Sequence, residues 1–96
     1  RRQSAVMGIF AVRVHGLDGG PHDAVASVGS RPTFAGTKPI LEVHLFDFDK
    51  DIYGKYIHVD FIAWLREQEK FDLVEDLVAQ MDVDADNARF ALAAES

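Results

Sequence analysis

At 96 residues the chain is long enough for one domain and too short for two. With 48% hydrophobic, 27% charged and 10% aromatic residues it falls in the globular range, and its lack of cysteine excludes disulfides, thiolate metal sites and a cysteine nucleophile. The net charge of −6 divides into +3 over residues 1–40 and −9 over residues 41–96; Lys and Arg never cluster beyond Arg1 and Arg2, which argues against nucleic acid while leaving room for a local phosphate site in the first half.

Residues 8–15 (GIFAVRVH) alternate, with Phe10, Val12 and Val14 on one face and Ile9, Ala11, Arg13 and His15 on the other, which predicts a strand. The stretch GLDGGPHD that follows is a loop by its glycines, proline and aspartates. Residues 24–28 form a second short strand, and residues 29–39 (GSRPTFAGTKP) read as a long connection. A third strand is expected over residues 40–48, with Leu41, Val43 and Leu45 opposite Glu42, His44, Phe46 and Phe48. After a polar turn at 49–54, residues 55–62 alternate again and predict strand four.

From Phe71 the apolar period becomes helical, with Phe71, Val74, Leu77, Val78 and Met81 three or four residues apart. Asp72 is the expected N-cap, with Glu75 three residues later as in a capping box. A second, alanine-rich helical stretch is expected over residues 84–94. Strands followed by helix, with no helix between strands to make parallel crossovers, predict a small antiparallel barrel with a helical appendage. No apolar run approaches the roughly 20 residues of a membrane span and residues 1–11 are too short for a secretory signal, so a cytoplasmic location without a membrane partner is expected.

The chemistry in the residues is sparse. Asp47, Asp49 and Asp51 invite a calcium reading, but a calcium loop starting at Asp47 needs glycine sixth and glutamate twelfth, where Ile52 and His58 stand. His15, His22, His44 and His58 show no helical pairing of the zinc kind. Glu42 and His44 share a strand face and form either a functional patch or a solvated one; a carboxylate between Leu41 and Val43 makes Glu42 a candidate general base. The GSRPTF stretch either cradles a phosphate beside Arg31 or is a proline-stiffened surface loop.

GIFAVRV, ASVGSRPTF, LEVHLFDFDKDIYGK and LREQEKFDLVEDLVAQMDVDADNAR, in this order, resemble the riboflavin kinase module of prokaryotic bifunctional riboflavin kinase and FAD synthetase. The resemblance covers nearly the whole chain and implies one domain over residues 1–96, the C-terminal portion of a Greek-key antiparallel β-barrel with a C-terminal helix. It implies transfer of the ATP γ-phosphoryl group to riboflavin, giving FMN and ADP with magnesium, and Glu42 matches the family's catalytic base. Arg66, Phe71, Asp72, Val74 and Glu75 match the stretch that closes over the flavin ring, and Ser30, Arg31, Pro32 and Thr33 match a loop on the nucleotide side. Family members carry further strands before the matched part, with a proline, threonine, alanine, asparagine motif that holds magnesium and nucleotide. The expectation is therefore a chain that begins after those strands, contains no metal ligand and is inactive alone. An N-terminal adenylyltransferase module is the expected partner within the parent protein, and a non-catalytic flavin-binding or interaction barrel is the alternative.

Overall fold

The computed structural model describes residues 7–50 and 54–95, so Arg1, Arg2, Asp51 and Ile52 lie outside the described residues. Four strands, β1 (Gly8–His15), β2 (His22–Thr33), β3 (Gly36–Leu45) and β4 (His58–Arg66), precede one helix, α1 (Val74–Ala94). The strands form one antiparallel sheet in the order β3-β2-β1-β4. Three strands in sequence and a fourth returning beside the first is the Greek-key arrangement. Among the described residues β3 and β4 are the free edges, so the barrel is open.

Because β1 is central, both of its faces are covered, which the alternation of GIFAVRVH made possible. Phe10, Val12 and Val14 pack with Leu17, Ala24 and Ala26 on one side, backed by Val43, Leu45, Phe48 and Val59. On the other, Ala11 packs with Phe46 and with Ala88 and Leu92 of α1. Phe10 meets Phe61 edge-on, with ring centroids 5.0 Å apart.

The expected connection over residues 29–39 is instead the outer half of a hairpin. β2 runs on to Thr33, turns through Phe34 and Ala35, and returns from Gly36 as β3, with Arg31 opposite Lys38 and Pro32 opposite Thr37. Its two prolines suggested a break. Both are tolerated because β3 is an edge and β1 pairs β2 only between His22 and Val28, so the arm has an unpaired side at either strand. Leu41, which shares a face with Val43 and Leu45 by its period, pairs with Val28 where the arm begins and is about half exposed.

Strand four also differs from its expected bounds of 55–62. β4 is shifted to His58–Arg66 and crosses two register irregularities against β1, one between Ala11 and Val12 and one between Ile9 and Phe10. Alternation breaks at such bulges, which is why a period-2 reading stopped at residue 62. Their effect is to advance β4 so that Arg66, and not Trp64, stands opposite Ile9. Gly8 lets the strands close up there. Its φ is +142°, and a β-carbon on it would lie 2.7 Å from the Arg66 carbonyl oxygen.

The two expected helical stretches are one helix of 21 residues. Its N-cap is Leu73, with no side-chain cap bond, rather than Asp72. The buried positions are Asp84, Ala88 and Leu92, one turn apart, whereas Val74, Leu77, Val78 and Met81 are 41–73% exposed. The apolar stripe thus leads into a cavity and to solvent, and the helix reaches the sheet through Asp84, Ala88 and Leu92 instead.

At the far end of the sheet from Arg66, Asp60 lies between two imidazoles, with His58 Nε2 2.6 Å from Oδ1 and His15 Nε2 2.8 Å from Oδ2. An ionised carboxylate only accepts, so each ring donates from Nε2. The hydrogen bond from His58 is the main reason the Asp60 carboxyl sits below its ordinary value of 3.8, with His15 adding to it against partial desolvation. A depressed carboxyl contributes stability that is present above the unfolded value and lost as pH falls through the folded one. The destabilisation caused by Asp60→Asn is therefore expected to shrink between about pH 5 and pH 2, measured as the difference in melting temperature from the parent. A difference constant across that window would contradict the assignment.

Candidate functional site

The face of β2 and β3 that looks toward α1 carries, pair by pair, Val25 and His44, Ser27 and Glu42, Gly29 and Ile40, then Arg31 and Lys38. Two cavities open on this row. A cavity of about 430 Å³ under the helix is walled by Ile9, Val25, Phe71, Leu77 and Met81, with His44, Arg66, Gln68 and Asp84 as polar lining. Its size falls within the roughly 300–1,000 Å³ of small-molecule sites, and mostly apolar walls with a few placed polar groups are what such sites share. A second cavity, of about 710 Å³, opens toward the arm and is lined by Met7, Gly29, Ser30, Arg31, Ile40 and Lys70.

Ser27, Glu42, Gln68 and Glu69 line both. Glu42 is therefore at the junction, on a strand whose register to β2 fixes the position of its α-carbon. Gln68 braces the same spot from the loop after β4, donating from Nε2 to Ser27 Oγ at 2.7 Å and to the Val28 carbonyl at 3.0 Å. A β-carbon on Gly29 would lie 3.3 Å from that Nε2, so the bare backbone of Gly29 leaves room for the brace. His44 lines the helix-side cavity and meets Phe46 edge-on at 6.2 Å.

Arg66 reaches from the end of β4 to α1. Its Nε and Nη2 donate to the two carboxylate oxygens of Asp84 at 2.8 and 2.7 Å, and Nη1 donates to the Glu67 carbonyl at 2.8 Å. Burial alone would push the Asp84 carboxyl up, but the bonds from Arg66 and from Gln80, with the guanidinium charge, outweigh it and hold the group below its usual range. The same carboxylate holds the Arg66 guanidinium even more firmly protonated.

Of the residues singled out by sequence, Glu42, Arg66 and Phe71 come together on the helix-side cavity, and Ser30 and Arg31 on the arm-side one. Asp72 lines a separate cleft beyond Phe71, with Leu73, Asp76 and Ala79. Val74 and Glu75 are exposed on the first turn of α1, and Pro32 and Thr33 on the arm; none of the four lines either main cavity. Asp84, Gln80, Gln68 and Ser27 escaped the sequence reading. For Asp84 a signal existed: it begins a series with Ala88 and Leu92 at intervals of four, so an acid heads a stripe that is otherwise apolar.

In this open Greek-key sheet a mostly apolar cavity under the helix and a polar cavity with Arg31 and Lys70 in its lining meet at the Glu42 carboxylate. The riboflavin kinase family model, Flavokinase, matches residues 2–92, and the chain belongs to that family. The bifunctional riboflavin kinase/FMN adenylyltransferase of Haemophilus influenzae is 38% identical over 89 residues, which are 93% of this chain and 29% of that protein. The Escherichia coli K12 protein of the same description is 42% identical over 89 residues, 93% of this chain and 28% of its own length. The chain thus spans less than a third of the relatives it matches. A crystal structure described as a macrolide-efflux protein from Streptococcus pneumoniae superposes with a TM-score of 0.82 at 36% identity, covering 91% of this chain and 28% of that one. No helix among the described residues is long and apolar enough to cross a membrane.

Proposed function

We propose that this chain is the riboflavin-phosphorylating part of a longer, cytoplasmic enzyme that also adenylylates FMN to FAD through an N-terminal module. The observation that carries the reading is the place of Glu42, shared by an apolar-walled cavity suited to a flavin ring and by a cavity that presents Arg31 and Lys70 to an anionic donor. Family membership supplies the substrates, riboflavin and ATP.

In this reading Phe71, Leu77 and Met81 receive the tricyclic ring, and the ribityl chain runs along β3 toward Glu42. The carboxylate accepts the proton of the terminal hydroxyl as its oxygen bonds to the γ-phosphorus and the bond from phosphorus to the bridging oxygen of ADP breaks. Ser30, Arg31 and Lys70 face the phosphates and draw the donor to the open end of the site. Asp72 and Glu75 would reach the ring only from the helix entrance, so they are placed at its rim. Among the described residues no three His, Asp or Glu side chains converge on a point where a metal ion could sit. Magnesium enters with the nucleotide as co-substrate.

The test is incubation of the full-length protein with riboflavin, ATP and magnesium, with FMN separated chromatographically. ATP-dependent FMN formation is expected. Riboflavin binding without FMN would instead establish a non-catalytic flavin barrel.

A further inference from the structure

Helix α1 is anchored along only half of its length. From Asp84 onward it sends Asp84, Ala88 and Leu92 into the sheet, whereas residues 74–83 contain no buried side chain. Yet Leu77 and Met81, from the unanchored half, are a wall of the helix-side cavity. The polar tie nearest this half is a single carboxylate at its C-terminal boundary, reached by Arg66 from β4 and by Gln80 from within the helix. Asp84, 4% exposed, takes both bonds of the Arg66 fork and a third from Gln80 Nε2 at 3.0 Å.

A buried ion pair is a poor source of stability, since a well-packed apolar pair of the same volume often does as well or better. What a two-bond guanidinium–carboxylate contact does supply is orientation, because both groups are planar and both bonds must align. Alanines at 85, 88 and 91, which make much of the remaining helix contact, offer a smooth surface on which the helix can tilt. Leu77 is seven residues, or roughly 10 Å, up the helix from Asp84, so a tilt of about 10° there would displace the wall by about 2 Å.

We propose that Asp84 is a positioning residue which, through Arg66 and Gln80, sets the distance of the Leu77 and Met81 wall from the sheet and so determines how tightly the cavity grips the riboflavin ring. The inference rests on reading that cavity as the riboflavin site.

Two variants of the full-length protein test it. Asp84→Asn keeps the shape and removes the charge; Arg66→Lys keeps the charge and removes the fork. Each is measured for riboflavin affinity by quenching of riboflavin fluorescence, for KM and kcat, and for amide hydrogen exchange in the ligand-free protein. For Asp84→Asn, riboflavin affinity is expected to fall about 10- to 100-fold, and the KM for ATP to change several-fold less than that. Exchange should quicken over residues 77–83 and stay as it was over 86–92, and Arg66→Lys should shift the same quantities less. Unchanged riboflavin affinity in either folded variant would overturn the proposal, as would equal losses for riboflavin and ATP with exchange quickened along all of α1, the mark of a purely structural role. Should Asp84→Asn not fold, Arg66→Lys and Gln80→Ala decide the matter by the same readouts. If the parent protein itself fails to bind riboflavin, the site reading falls, while the exchange pattern still decides whether Asp84 fixes the half-helix.

Discussion

Glu42→Gln in the full-length protein is expected to slow FMN formation by about 10²- to 10⁴-fold while leaving riboflavin affinity nearly unchanged, the range that loss of a positioned general base produces. The amide has the shape of the carboxylate and cannot accept the hydroxyl proton. A primary alcohol does not ionise near neutral pH, so the proton must leave as the bond to phosphorus forms. The geometry makes the substitution clean: Glu42 is on an edge strand held in register by Ser27, and it enters no ion pair among the described residues. Neither the sheet nor the helix contacts depend on its charge. Single-turnover FMN formation, with riboflavin binding measured separately by fluorescence, checks the split. Near-parental turnover would remove Glu42 from the role of base, and a matching loss of riboflavin binding would assign it to the flavin instead.

How much of this was legible follows from which forces act locally. β1 was readable to the residue because Ile9, Phe10, Ala11, Val12 and Val14 supply apolar side chains to both faces of a covered central strand, and its bounds are marked by glycine at each end. The helix was readable as helix but not as one helix, and what its apolar stripe would meet was not readable. Val74, Leu77, Val78 and Met81 have the period of a core face, but periodicity says which residues share a face and not what that face meets. Here it meets a cavity and solvent, and the sheet is reached by Ala88 and Leu92. The hairpin arm was missed because Pro32 and Pro39 were weighed as breakers, and whether a ladder side is unpaired depends on strand order, which is not a local property. The same holds for the site. Glu42 was legible as a carboxylate out of place in an apolar strand. That it borders two cavities depends on Gln68, Arg31 and Phe71 arriving from three other segments. The Arg66 and Asp84 pair depends on two register shifts in β4 that advance the strand to put Arg66 opposite Ile9.

Leu92→Ala is expected to cost about 2–5 kcal/mol, the range for truncating a fully buried leucine, in a domain whose total stability is on the order of 5–15 kcal/mol. Leu92 has no exposed surface and packs with Ala11, Phe46 and Ala88, so its removal leaves a void between helix and sheet that closes only if the helix moves. Its carbonyl also accepts a bond from Arg13 Nη2 at 2.7 Å, so such a movement would strain a second tie between α1 and β1. Phe90, two residues away and larger, is 80% exposed, and Phe90→Ala should stay within about 0.5 kcal/mol of the parent. Denaturant-dependent hydrogen exchange of the full-length protein, followed at β1 and α1, measures both. The pattern separates this residue from Asp84. Leu92→Ala should lower protection in β1 and along all of α1 together, because it weakens the contact by which helix and sheet open as a unit. Asp84→Asn should loosen only the half ahead of it. If Leu92→Ala cost no more than Phe90→Ala, the helix would not be held by its C-terminal half, and the wall it presents to the ligand cavity would need another support.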